Sequence, residues 1–160
     1  MTTIVLTGVS DIGARVAAGQ KLVVAQRQGD WLGVWWLGQL GWLKNTGSAG
    51  QPVTAPATGQ LVTSSGGNAP IYGRAYPEPE AYPSDIPDQG IAELGYTIKP
   101  GQAYVLSDPT VTTDYYYAKT FDSSIPGDHT DVVGRDRYYQ IWCGHRIAYV
   151  RAADVRISKG

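Results

Sequence analysis

Cysteine, histidine, phenylalanine and methionine are almost missing from this 160-residue chain, which has one Cys, two His, one Phe and one Met. A lone cysteine, Cys143, excludes an internal disulfide. With His129 and His145 it is too little for a structural zinc cluster, and a catalytic zinc would have to lean on carboxylates. An excess of one charge is missing too: 13 Lys and Arg face 14 Asp and Glu, a net charge of -1. A nucleic-acid binder would carry a basic surplus, so none is expected as partner. No run of about 18 apolar residues occurs, which excludes a membrane-spanning helix. The N-terminus lacks a basic segment followed by an apolar core, so no signal peptide is expected.

What is plentiful is turn formers and aromatics, with 20 Gly, 10 Pro, 11 Tyr and 5 Trp. That profile suits short strands joined by many turns. The charges are unevenly placed. Glu78, Glu80, Asp85, Asp88 and Glu93 fall in one stretch, and Arg135, Arg137, Arg146, Arg151 and Arg156 in the last. Both runs suit solvated or mutually paired surfaces.

The opening "TIVLTGVSDIG" (Thr3 to Gly13) resembles the strand and glycine turn of a dinucleotide fold, and Tyr115 and Lys119 have the Tyr-x-x-x-Lys spacing of short-chain dehydrogenases. An internal repeat argues against that reading. "GVSDIGARVAAGQKLVV" (Gly8 to Val24) aligns without gaps on "GIAELGYTIKPGQAYVL" (Gly90 to Leu106), with Gly13, Gly19, Gln20 and Val23 meeting Gly95, Gly101, Gln102 and Val105. "WLGVWWLGQLGWL" (Trp31 to Leu43) aligns on "YYQIWCGHRIAYV" (Tyr138 to Val150). The offset grows from 82 to 107, so the second copy holds 25 extra residues between the two echoes. Two copies of one unit account for the chain better than one nucleotide fold. No helix follows the glycines, because "VAAGQKLVV" has an internal glycine and then β-branched residues.

Each unit reads as an apolar stretch, a Gly-Gln turn, a strand, and then a tight hairpin with Gly38 or Gly144 at its turn. Apolar residues on both strand faces suit a small curled sheet closing on itself. Between the copies, Asn45 to Asn68 is uncharged and rich in Gly, Ser, Thr, Pro and Ala; it reads as a flexible linker, with one strand at "GQLVT". The expectation is an all-β chain of two small β-barrels in tandem: residues 1–45, a linker at 46–68, and an enlarged second unit at 69–160 carrying a long loop insertion.

"GDWLGVWWLGQLGWLKN" resembles the signature of bacterial SH3-like (SH3b) domains, with Trp31, Val34, Gly38, Gly41, Trp42 and Leu43 at the matching places. Tyr138, Ile141, Ala148, Tyr149 and Val150 take those roles in the more divergent second copy. The ending "RYYQIWCGHRIAYVRAADV" is similar to the C-terminal regions of secreted actinobacterial N-acetylmuramoyl-L-alanine amidases and related cell-wall hydrolases. The resemblance implies two tandem SH3-like barrels, secreted or associated with the cell wall. It implies a non-catalytic role, anchoring a hydrolase on peptidoglycan, with the catalytic domain elsewhere in a longer chain and no cofactor. The alternative is a protein-interaction or spacer module docking on a neighbouring domain or peptide.

The candidate ligand-binding residues are aromatic: Trp31, Trp35 and Trp36; Tyr115, Tyr116 and Tyr117; Tyr138 and Trp142. Their flat apolar faces with polar handles suit sugar rings and peptide stems. Arg146 joins them as a partner for stem carboxylates or phosphate. For each aromatic the competing reading is barrel core or inter-copy packing. Cys143 and His145, two apart at a turn, read as a packed strand residue and a turn residue, because Trp36 and Gly38 hold those places in copy one. Asp108, Asp114, Asp122, Asp128 and Asp131 lack the alternating spacing of a calcium loop, so no metal site is expected.

Overall fold

The computed structural model describes residues 2–7, 10–11, 15–16, 18–73, 93–112, 116–120, 129–133, 137–144 and 146–159. The first copy supplies β1 (Thr2–Leu6), β2 (Ser10–Asp11), β3 (Arg15–Val16), β4 (Lys21–Gln28), β5 (Trp31–Trp36), β6 (Gln39–Lys44) and β7 (Thr54–Pro56). The second supplies β8 (Gln60–Ser64), β9 (Ala69–Tyr72), β10 (Glu93–Ile98), β11 (Ala103–Thr112), β12 (Tyr116–Thr120) and β13 (His129–Val133). It finishes with β14 (Tyr138–Trp142), β15 (Ile147–Arg151), a single 3-10 turn (Ala152–Asp154) and β16 (Val155–Lys159). The described residues contain no α-helix.

The strands form a five-stranded sheet, β6-β5-β4-β1-β7, and a seven-stranded one, β10-β9-β15-β14-β11-β8-β16. Two short ribbons, β2–β3 and β12–β13, stand beside them. All pairings are antiparallel. Closed barrels were the expectation; among the described residues both sheets are open, with edges β6 and β7 in one and β10 and β16 in the other.

The repeat in the sequence is a repeat in strand register. In the first sheet Ile4 faces Leu22 and Pro56, while Val34 faces Val24 and Gly41. In the second Val62 faces Tyr104 and Ile157, while Ile141 faces Leu106 and Ala148. Leu22 and Tyr104, Val24 and Leu106, Val34 and Ile141, and Gly41 and Ala148 are counterparts in the aligned segments, and the strand pairing extends the correspondence to Ile4 with Val62 and Pro56 with Ile157, which the sequence echo does not reach. The pairing also reassigns the stretch expected to be a linker. Within 46–68, β7 forms an edge of the first sheet and β8 lies inside the second, so the chain passes between sheets at Ala57–Gly59. Small and β-branched residues that read as linker by composition fit a strand once a neighbour offers its backbone groups. Pro56 is tolerated because β7 is an edge. The long insertion expected in copy two includes the β12–β13 ribbon.

Alternation sorts the side chains. Ile4, Leu6, Leu22, Val24, Leu32, Val34, Trp36 and Leu43 turn inward as the first core. Val62, Ile71, Ile98, Tyr104, Ile141, Ala148 and Val150 are part of the second. Each fully buried large apolar side chain contributes roughly 1.5–3 kcal/mol. A third cluster joins the sheets: Val23, Leu61, Ala103 and Val105, with Trp35 and Trp142 packed against them. Val23 and Val105 are repeat counterparts, as are Trp35 and Trp142. Part of the contact between the copies is therefore pseudo-symmetric, with two pairs of counterparts in one cluster, as near the axis of an isologous dimer.

Candidate functional site

The two hairpin turns form the seam between the sheets. The Leu37 N–H donates to the Cys143 carbonyl at 2.8 Å. Gly38 is clamped on both sides of its peptide: its N–H donates to the Tyr104 hydroxyl at 2.8 Å, and its carbonyl accepts from Gln102 Nε2 at 2.8 Å. Gln20, the counterpart of Gln102, donates from Nε2 to the Gly144 carbonyl at 2.8 Å. Leu37 sits at φ 48 and Gly38 at φ 82, so the turn holds a non-glycine residue in left-handed backbone. Beside this turn a cleft of about 220 Å³ opens between the copies, lined by Leu37, Gly38, Gln39, Gly95, Tyr96, Thr97 and Lys99. Tyr96 is 37% exposed there.

The more open surface is the outer face of β4, β5 and β6. Side chains two apart on a strand share a face, so Trp31, Gly33 and Trp35 line up along β5. Trp31 stands between Gln28 and Lys44 on the neighbouring strands, and Gly33 between Gln26 and Trp42. A Cβ on Gly33 would lie 3.2 Å from the Trp42 ring and 3.3 Å from Gln26 Cβ. The Trp42 indole thus reaches over the glycine and is itself half-buried. At the outer end Trp31 is 45% exposed. At the inner end Trp35 disappears into the seam.

The candidate residues separate accordingly. Trp36 is 4% exposed in the first core, and Tyr138 is fully buried in a cluster with Tyr72 and Tyr149. Tyr72 meets Tyr138 edge-on at 6.4 Å, with the Arg151 guanidinium 5.1 Å above the Tyr72 ring. Neither Trp36 nor Tyr138 presents a ring to solvent. Trp35 and Trp142 are structural members of the seam. Trp31 is open. Arg146 lies at the surface, donating to the carbonyls of Ile147 and Gly73 at 3.0 and 3.3 Å. Tyr116 and Tyr117 lie on β12, while Tyr115 falls outside the described residues, as does His145.

Trp42 belongs to the aromatic crowd of the sequence without having been a chosen site residue, and Gln26, Gln28 and Tyr96 were not among the sequence candidates. Gly33 was the available signal for Trp42 and Gln26, since a glycine inside a strand marks a close approach by a neighbouring side chain.

Cys143 is buried in the second core. Burial raises its thiol from the ordinary 9.0 to about 12, against the smaller lowering effects of the Arg146 charge and the Leu37 N–H. A thiol held protonated in this way is a poor nucleophile. Burial, and then neighbouring Cys143, push the Tyr104 hydroxyl well above its usual range, with the Gly38 N–H opposing. The described residues contain no group of three or more His, Cys, Asp or Glu able to hold a metal. No described helix is long and apolar enough to cross a membrane.

Comparison with family models, curated proteins and solved structures returns no match. An aromatic and amide-lined sheet face suits binding, and the buried thiol does not suit covalent catalysis.

Proposed function

We propose that the chain is a non-catalytic binding module of two SH3-like units that holds a secreted hydrolase on bacterial peptidoglycan. The observation that carries this is Trp31, 45% exposed on the same open face as Trp42. A large indole left in water at the edge of a well-packed sheet suits a stacking surface. The SH3-like part of the reading is supported by the repeated scheme of antiparallel strands and by the tight hairpin that carries Trp31, Val34, Gly41 and Trp42. The catalytic domain, in this reading, belongs to a longer chain, and the location is outside the cell or on the wall.

The test is co-sedimentation of the chain with insoluble peptidoglycan from which wall teichoic acids have been stripped. Pelleting that resists moderate salt supports aromatic wall binding. A chain that stays in the supernatant with every wall preparation is not an anchor.

A second reading, docking on a neighbouring domain or peptide, is favoured by the seam. Trp35 and Trp142 are used to pack the copies together and are not offered to a ligand there. Loss of wall binding with capture of the attached domain would establish it.

A further inference from the structure

We infer that the outer sheet face of the first copy reads the uncharged glycan strand of the wall polymer, through Trp31 and Trp42. This rests on the wall-binding reading above. The two copies share one strand scheme, yet the end of this face that is open in the first copy is closed in the second. Trp31 is 45% exposed, whereas its counterpart Tyr138 is fully buried. Gly33 leaves room for the Trp42 ring to reach over it. Its counterpart Gln140 fills that space and donates from Nε2 to the Tyr149 hydroxyl at 2.7 Å, while its Oε1 accepts from Ser107 at 2.9 Å. Tyr149, the counterpart of Trp42, is thus engaged within the protein.

The chemistry of the open face selects among the parts of a wall polymer. Gln26, Gln28, Trp31 and Trp42 carry no charge, and Lys44 is the only ionic side chain in the two rows around Trp31 and Gly33. Stem-peptide carboxylates and teichoic phosphates call for several cations, best as paired Arg contacts. An N-acetylated sugar ring is neutral. It offers a flat C–H face to an indole, and hydroxyl and acetamido groups to side-chain amides that both donate and accept. Trp31 and Trp42 hold diagonal positions across β5 and β6, and such positions stand roughly 7–8 Å apart, a little less at Cβ. The two rings thus sit as neighbours on one face, where both can meet one glycan strand. Both residues are mounted on paired strands, so little side-chain freedom is lost on binding.

The test titrates the full chain with soluble β-1,4-linked N-acetylglucosamine oligomers and, separately, with a soluble stem peptide. The readout is the indole N–H resonances of the five tryptophans, alongside co-sedimentation with whole peptidoglycan. The expected result is that Trp31 and Trp42 signals move with the oligomer while Trp35 and Trp142 signals stay. Trp31→Ala should weaken oligomer binding roughly tenfold without shifting the unfolding midpoint, and Trp31→Phe should restore part of it. Movement with the stem peptide alone, or full oligomer affinity in Trp31→Ala, overturns the inference. If the chain pellets with peptidoglycan while the Trp31 and Trp42 signals ignore the oligomer, the inference falls and the wall-binding reading stands. If the chain neither pellets nor responds, both fall.

Discussion

Gln20 and Gln102 hold the same place in the two copies, and each donates its side-chain amide across the seam to the other copy's hairpin turn. The acceptors are the carbonyls of Gly144 and Gly38, both at 2.8 Å. The identity of the two glutamines in the repeat thereby has a physical cause: each closes a turn whose carbonyl would otherwise be covered without a partner. The Gly-Gln step places each glutamine at the mouth of β4 or β11, the strands that carry Val23 and Val105 into the same seam.

The two clamps differ in depth, which gives the first prediction. Gln102 is 6% exposed and also accepts from the Lys99 N–H at 3.3 Å, whereas Gln20 is partly buried. Gln102→Leu is expected to cost about 1–3 kcal/mol, the penalty of leaving buried polar groups unpaired. Gln20→Leu should cost about 0.5–1.5 kcal/mol. Urea unfolding of both variants checks this, and an equal or reversed order would show that the clamps are not unequal in depth.

Gly38 and Gly101 test packing at similar backbone strain. Their φ values are 82 and 93, but a Cβ on Gly38 would lie 3.0 Å from the Thr97 carbonyl oxygen, while one on Gly101 meets nothing within 4 Å. Both alanine variants carry the left-handed cost of about 1–3 kcal/mol. Gly38→Ala should lose a further amount of about 1–2 kcal/mol, as overpacking against backbone does. Paired denaturation midpoints decide it.

Among the tryptophans, stability and exposure should separate. Trp31→Ala is expected to change stability by no more than about 0.5 kcal/mol. Trp35→Ala and Trp142→Ala should each cost about 2–4 kcal/mol, a little under the loss of a fully buried indole. Thermal unfolding of the three variants would contradict the seam if Trp31→Ala proved the most damaging.

Alkaline pH should weaken the fold. The Cys143 thiol is raised from 9.0 to about 12, chiefly by burial. Below pH 9 the thiol is protonated in both states, so its contribution is fully present. As pH rises from 9 toward 12 the unfolded thiol ionises while the buried one does not, and stability falls by up to about 1.4 kcal/mol per pH unit. Tyr104, raised in the same direction, adds to the fall above its ordinary 10.0. Urea midpoints at pH 8 and 10.5 measure the slope, and Cys143→Ala should flatten it. Native protein at pH 8 should also resist thiol alkylation that proceeds at once in urea.

Much of the local architecture was legible in the sequence. The ungapped echoes gave the correspondence of Val34 with Ile141 and of Val24 with Leu106, and strand pairing keeps both. Glycine at Gly38 and Gly144 marked the hairpin turns because few other residues accept such backbone. The site was less legible. Crowded aromatics read alike whether they line a groove or fill a core, and Trp31, Trp35 and Trp36 differ only in the face and end of β5 they occupy.

The sequence by itself determined that this is a repeated, all-β chain of short antiparallel strands, because periodicity, turn glycines and β-branched residues act locally. Tertiary structure alone decided which outer faces meet water. Alternation tells a side chain which side of its sheet to take, and not what stands beyond that side. Trp35 and Trp31 share one face of one strand; the second copy covers the first and leaves the other exposed. The uncharged stretch at 46–68 became β7 and β8 for the same reason, since a strand at the margin of propensity is fixed by the neighbour that satisfies its backbone.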